Sequence, residues 1–413
     1  MQFCTPNEQH AWPHECGAGR DCGQPLCLPF VVRSCQHIRK RMIHVSASLF
    51  LLLAFFPFDN LAAQNSSSSF EQVATAAAAA RDANDVPRAI ELYTRALRLD
   101  PKWQDGWWSL GMLQYESEAY PAATDALSQL LALQPNAGEA LAVRGLCELE
   151  TGDYPQALAD IRKGLAFGAA DDASHGEILL YHEAILLTRL GRFSEALKVY
   201  STFAEHKVSS PELLVAIGLA GLRIPLLPKD VTADQQALLT AVGDATFKFM
   251  EGDQMAAQRA FNDLFQRFPT ARNAHFHYGN LLLAFGPEAA APQFQKELEV
   301  APDNADARIM FAWSLIMQNR PDEALPYAKR VAQEEPERAA SQLILGRTLL
   351  DTGNTAAGIE HLQHALKLQP DNLEVHIALA KAYSKSGRDD DARGERALCL
   401  RMTQKGAASL VHP

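Results

Sequence analysis

A proline recurs at a fixed step along this chain. Pro101 and Pro135 stand 34 residues apart, Pro302, Pro336 and Pro370 keep the same step, and Pro269 lies 33 residues before Pro302. A period of this size is one helix–turn–helix unit long, and such a unit buries its apolar face only by stacking on its neighbours. Other residues keep register with the prolines. Ala89, Tyr93 and Ala96 precede Pro101, and Gly111, Ala123 and Leu127 precede Pro135. Gly145 with Ala157, Ala184 with Ala196 and Tyr200, Ala257 with Phe261, and Gly346 with Ala365 follow. Each unit reads as two apolar-periodic helices joined by a turn such as "ETGDYPQ" or "RLGRFSE". Small residues let the two helices cross closely, and the proline ends the second.

Trp107, Leu110, Gly111, Ala123 and Pro135 match the pattern W-x2-L-G…A…P, with Gln114 where that pattern has tyrosine. On these residues the chain resembles the tetratricopeptide repeat family. The resemblance runs over roughly residues 70–402. It implies an all-α fold, a right-handed α-α superhelix of about nine helix pairs whose inner groove is lined by the first helix of each pair. The units begin near Phe70, Gln104, Gly138, Glu177, Leu238, Ala271, Ala305, Ala339 and Leu373. The third lacks its proline, and the turn of the sixth is a residue short. Between His206 and Asp234 the period breaks: "PELLVAIGLAGLRI" predicts one extra apolar helix, and Pro225 and Pro228 prevent its continuation. The expected organisation is an N-terminal block over 70–207, a junction helix and Pro-rich loop over 208–235, and a C-terminal block over 236–402. A packed junction and a hinge both fit. The last helix, "DDDARGERALCLRMTQK", is polar, as a cap that faces water on one side must be, and 403–413 is expected to be a tail.

The region before the repeats divides in two. Five of the seven cysteines (Cys4, Cys16, Cys22, Cys27, Cys35) fall within residues 1–41, which show no helical or strand period. A disordered leader, or a segment upstream of a start at Met42, accounts for them better than zinc, because only Cys22 and Cys27 approach the close spacing of a metal-binding pair. From Met42, a basic flank, the apolar run over 45–58 and the small residues of "DNLAAQ" make the three-part pattern of an export signal over 42–63. The apolar run is shorter than the ~20 residues a spanning helix needs. Export to the periplasm or beyond is the expectation, and inner-membrane anchoring through 45–58 the alternative. The Ser-rich 64–69 reads as a linker.

Adjacent residues on a helix point about 100° apart, so Trp107 and Trp108 serve different faces. The alignment puts Trp107 on the packing position inside its unit and Trp108 on the position that looks into the groove. Met112 and Tyr115 continue the Trp108 stripe at helical spacing. The same inward positions elsewhere hold Tyr181 and Ile185, Asn280, Trp313 with Met317, Arg347, and Lys381 with Lys385. The candidate partner-binding groove is therefore aromatic and Met-rich near its start and basic towards its end, with residue types enriched at recognition surfaces. The paired Lys and Asn with which one subtype of the family holds C-terminal carboxylates are replaced by Ala74, Ala78, Met112, Glu139 and Val143.

A formal charge of −11 argues against a nucleic-acid partner. No phosphate loop, H-E-x-x-H or nucleophile elbow occurs, so neither a catalytic residue nor a cofactor is expected. His275 and His277 are placed too far round a helix to share a ligand. His361 and His364 are expected on the outer side of theirs, and Cys147 and Cys399 as buried thiols. The expected function is a non-catalytic protein-interaction scaffold that binds a peptide or partner helix in its groove. A structural subunit of an envelope-assembly or secretion complex, or an accessory subunit of a separate enzyme, are the alternatives.

Overall fold

The computed structural model describes residues 61–169 and 173–411, with side chains over 69–169 and 176–404. The expected leader and nearly all of the expected export segment lie outside the described residues. Among those described there is no strand, and nineteen α-helices follow one another. Eight belong to the first block: α1 (Leu61–Asp82), α2 (Val86–Leu99), α3 (Gln104–Glu116), α4 (Tyr120–Leu133), α5 (Gly138–Thr151), α6 (Tyr154–Ala166), α7 (Ala173–Arg189) and α8 (Phe193–Glu205). The extra helix α9 (Pro211–Gly221) comes next. The second block holds α10 (Ala233–Met250), α11 (Gln254–Arg267), α12 (Ala274–Leu282), α13 (Pro287–Val300), α14 (Ala305–Met317), α15 (Pro321–Glu334), α16 (Ala339–Asp351), α17 (Thr355–Leu368), α18 (Leu373–Lys385) and α19 (Asp389–Val411). Nine helix pairs and one unpaired insertion thus stand where the proline period places them. No described helix is long and apolar enough to cross a membrane.

The local chemistry of the units is repetitive. Proline sits in the first turn of α2, α4, α6, α13 and α15, where its missing N–H has no partner to lose. Asp85, Asp153 and Asp253 cap α2, α6 and α11 by accepting from backbone N–H groups. Within a pair the helices cross where a glycine faces a leucine. A Cβ at Gly111 would lie 2.9 Å from the Leu127 side chain, and one at Gly346 would lie 2.7 Å from Leu362. In the sixth unit the short turn is made by tightening the end of α12 into a 3-10 turn, Leu283–Phe285, before Gly286.

The junction is packed. Eight of the eleven residues of α9 are buried, on every side of the helix. It continues the row of first helices by touching α7, and it lies along α10, which touches α8 in turn. A Cβ at Gly218 would fall 2.1 Å from the Leu239 carbonyl oxygen, and one at Gly243 would fall 1.9 Å from that of Leu214. Backbone therefore meets backbone at this crossing. Beyond α9 the chain turns through Arg223, whose φ is +59°. The Arg223 guanidinium lies over the rings of Phe193 on α8 and Phe276 on α12, and pairs with Asp306 on α14 at 2.7 Å. Asp306 also accepts from Arg338, which pairs with Glu335. One side chain from the junction thus joins the two blocks.

Two expectations about the ends are corrected. Residues 64–69, read as a flexible linker, belong to α1, because serine is a tolerable helix residue and the alanine-rich stretch after it carries the helix upstream. The expected tail from 403 continues α19 as far as Val411.

Candidate functional site

Each unit presents its first helix to an inner layer. α3 touches α5, α5 touches α7, α14 touches α16, and α16 touches α18. The placement of that row rests on a repeated hydrogen bond that sequence reading did not find. Six residues after a repeat proline, a side chain donates back to the proline carbonyl. Trp107 Nε1 reaches Pro101 O at 2.8 Å, Gln342 Nε2 reaches Pro336 O at 2.8 Å, and His376 Nε2 lies 2.8 Å from Pro370 O. Arg308, fully buried, does the same for Pro302. These carbonyls lie just beyond a second helix, where backbone acceptors lack intrahelical partners. In these four units the bond therefore fixes the first helix to the end of the pair before it. Trp107 is not only core: it is half-buried between two apolar clusters, and its indole N–H makes this bond. The signal was legible as a donor six residues after each of four prolines, which apolar periodicity does not score.

The candidate groove residues fall into separate groups. Trp108 and Tyr115 are half-buried against the cluster of Leu127, Leu130, Leu131 and Leu141, with Met112 one turn from Trp108 and also partly covered. The Tyr115 ring meets Tyr120 edge-on at 5.9 Å. Tyr181, on α7, packs on the next cluster with its ring 5.6 Å from His182. Burial, with the Glu212 carboxylate from α9, pushes its phenol well above the ordinary range. Ile185 is buried and offers nothing to a partner. In the second block Asn280 is half-buried on α12, Trp313 is half-buried on α14, and Met317 one turn on is 50% exposed. Arg347, half-buried on α16, makes no ion pair among the described residues.

The basic end of the groove is corrected. Lys381 pairs with Asp351 at 2.9 Å, and Lys385 Nζ donates to the Leu350 carbonyl at 2.5 Å. Both lysines tie α18 to the C-terminal end of α16, where a cation is favoured. Two further side chains, His361 and Cys399, depart from their expected places. His361, expected outside with His364, is half-buried and donates from Nδ1 to Gln342 Oε1 at 2.8 Å. A second helix packs on its own first helix and on the next one, so its covered arc is wider than one face. Cys147 is buried, and burial pushes its thiol up to about 12, whereas Cys399 is only partly covered. His275 and His277 are both buried. His275 stacks on Phe265 and meets Gln293 Oε1 at 2.8 Å, while His277 meets Thr246 at 2.8 Å and burial lowers its pKa to about 4. Among the described residues no three His, Cys, Asp or Glu side chains gather as a metal site would require.

One buried polar group stands out on α5. Arg144 Nε donates to the fully buried Asp160 at 2.5 Å and Nη1 donates to Ser128 at 3.1 Å. Glu148 lies 3.7 Å from the same guanidinium, with Oε2 buried and unpartnered. Burial first, and then the Asp160 charge, push Glu148 up to about 7.

Stacked helix pairs whose first helices touch from unit to unit, over α3 to α9 and again over α14 to α18, define the class: this is an α-α repeat solenoid. Family models described as tetratricopeptide repeat match residues 75–128, 110–173, 286–342 and 349–395. The chain is a tetratricopeptide repeat protein, of a family whose repeats mediate protein–protein interaction and are generally non-catalytic. Cellulose synthase operon protein C of Xanthomonas axonopodis pv. citri (strain 306) is 27% identical over 150 residues, 34% of this chain. The match spans only 10% of that relative's length. Among solved structures, MamA from Desulfovibrio magneticus RS-1 is 18% identical over 41% of this chain and 96% of its own, with a TM-score of 0.37. YrrB, titled a TPR protein with an unusual peptide-binding site, is 16% identical over 43% of this chain and 96% of its own, with a TM-score of 0.35.

Proposed function

We propose that the protein is an exported, non-catalytic scaffold that holds a peptide or partner helix along its row of first helices. The observation that supports this reading is that Trp108, Met112, Trp313 and Met317, at the positions read as inward from the repeat register, remain only partly covered in both blocks. A micromolar complex needs about 8 kcal/mol, and a well-buried anchor supplies about 2 kcal/mol. Several of these side chains must therefore act together, which suits an extended occupant. Export rests on the pattern over 42–63. A second reading, a subunit of an envelope-assembly complex, takes its support from the likeness to cellulose synthase operon protein C. Photo-crosslinking tests the groove. A benzoylphenylalanine at Met112 or Met317 of the full chain, in cells that make it, should capture one discrete partner, and one at Arg95 or Lys329 on second helices should not. Capture from the second-helix positions alone would refute the groove.

A further inference from the structure

We propose that the inner face of the first block takes a basic amphipathic segment of a partner protein, with lysines or arginines flanking an apolar anchor. The inference rests on the groove reading above and names the chemistry of its occupant. The two blocks treat their inner carboxylates differently. In the second block each of two is neutralised by a cation from the unit that follows. Asp306 is held by Arg338, 32 residues on, and Asp351 by Lys381, 30 residues on. The equivalent carboxylates of the first block are Asp105 and Glu116, the second residue and the last of α3. Their cation places hold Ala137 and Leu146. Asp105, Glu116 and Glu139 (which begins the next first helix as Asp105 begins α3) are exposed and make no ion pair among the described residues.

Three arginines of the first block are committed elsewhere. Arg81 pairs with Asp82, Arg144 is drawn inward to Asp160, and Arg189 donates to the Pro225 carbonyl and lies over the Tyr154 ring. Glu150 is met by Lys229 from the junction. Asp105 and Glu116 therefore flank the partly covered Trp108 and Met112 along α3, Glu139 opens the next first helix, and two places that could carry the chain's own counter-charges carry apolar side chains instead. A partner that supplies cations beside an aliphatic or aromatic anchor matches both features, and the face repels an acidic one.

The test is fluorescence anisotropy on the full chain with three labelled peptides: an amphipathic lysine–leucine peptide, its glutamate–leucine counterpart, and a lysine–serine peptide without the anchor. The lysine–leucine peptide is expected to bind, the lysine–serine peptide at least tenfold more weakly, and the glutamate–leucine peptide not at all. The isosteric variant Asp105→Asn/Glu116→Gln/Glu139→Gln should lose about tenfold in affinity, as three partly screened ion pairs imply. The control Asp125→Asn/Glu205→Gln/Glu360→Gln, on second helices, should lose none. Ala137→Arg/Leu146→Lys keeps the carboxylates but supplies the missing cations, and should weaken binding as well. Equal losses in the two carboxamide variants, or equal binding of the lysine and glutamate peptides, would overturn the proposal. If the lysine–leucine peptide fails while Met112 still crosslinks to a partner, the basic class falls and the groove stands; if both fail, both fall.

Discussion

Replacing Glu148 by glutamine should stabilise the first block at alkaline pH and leave it unchanged at acid pH. The reason is a mismatch of charges: two buried carboxylates share one guanidinium, and Asp160 takes the closer contact at 2.5 Å against 3.7 Å for Glu148. Burial and the Asp160 charge raise Glu148 from 4.5 to about 7. A raised acid binds a proton in the folded state that the unfolded chain has released. Its contribution to stability is therefore complete below about pH 4.5 and is lost as pH rises through about 7. At 1.36 kcal/mol per pKa unit, ionising Glu148 in the folded chain costs up to about 3 kcal/mol. Cys147 next door reports the opening of α5 locally, which suits an array whose global unfolding need not be two-state. In a chain with its other cysteines changed to serine, the labelling rate of Cys147 would be compared between wild type and Glu148→Gln at the same pH, so that thiol ionisation cancels. The account predicts nearly equal rates at about pH 4, below the unfolded value of 4.5, and a ten- to hundredfold slower rate in the variant at about pH 8, about 1–3 kcal/mol. Equal ratios at the two pH values would refute the assignment.

Other expectations follow from the same contacts. Gly243→Ala sets a Cβ against the Leu214 carbonyl and should cost more than about 3 kcal/mol, seen as a lower midpoint for the junction in hydrogen exchange. Arg223→Ala removes two ring contacts and an ion pair, and should cost about 1–3 kcal/mol and uncouple the unfolding of the two blocks by calorimetry; a single unchanged transition would contradict this. Gln342→Leu should cost about 1–3 kcal/mol in thermal unfolding, because it leaves the Pro336 carbonyl and His361 Nδ1 unpartnered.

The proline period was enough to read the helix pairs, because the prolines and small residues act within one unit. Gly111 against Leu127 and the proline after most second helices are short-range features, visible in one unit and then repeated. Contacts between units were harder to read. The apolar run of α9 announces a helix covered on all sides, but nothing in it says that α7 and α10 do the covering. Lys381 and Lys385 were found at inward positions, yet their partners Asp351 and Leu350 lie 30 and 35 residues back on another helix. For the same reason His361 was assigned to the wrong side. Trp108, Met112, Trp313 and Met317 were proposed from spacing alone, and the structure leaves each of them partly covered. The missing counter-ions of Asp105 and Glu116 became visible only when the equivalent pairs of the second block were seen in contact.

The central claim is that both blocks contribute inner-face side chains to one occupant. Its most direct test measures the affinity of the full chain for the partner captured from Met112, beside a Trp108→Ala/Trp313→Ala/Arg347→Ala variant whose circular dichroism matches the wild type. The account predicts a loss of at least a hundredfold, since three anchors at about 1–2 kcal/mol each exceed the roughly 2.7 kcal/mol that a hundredfold change requires. An unchanged affinity in the folded variant would contradict it and return the tryptophans to packing alone.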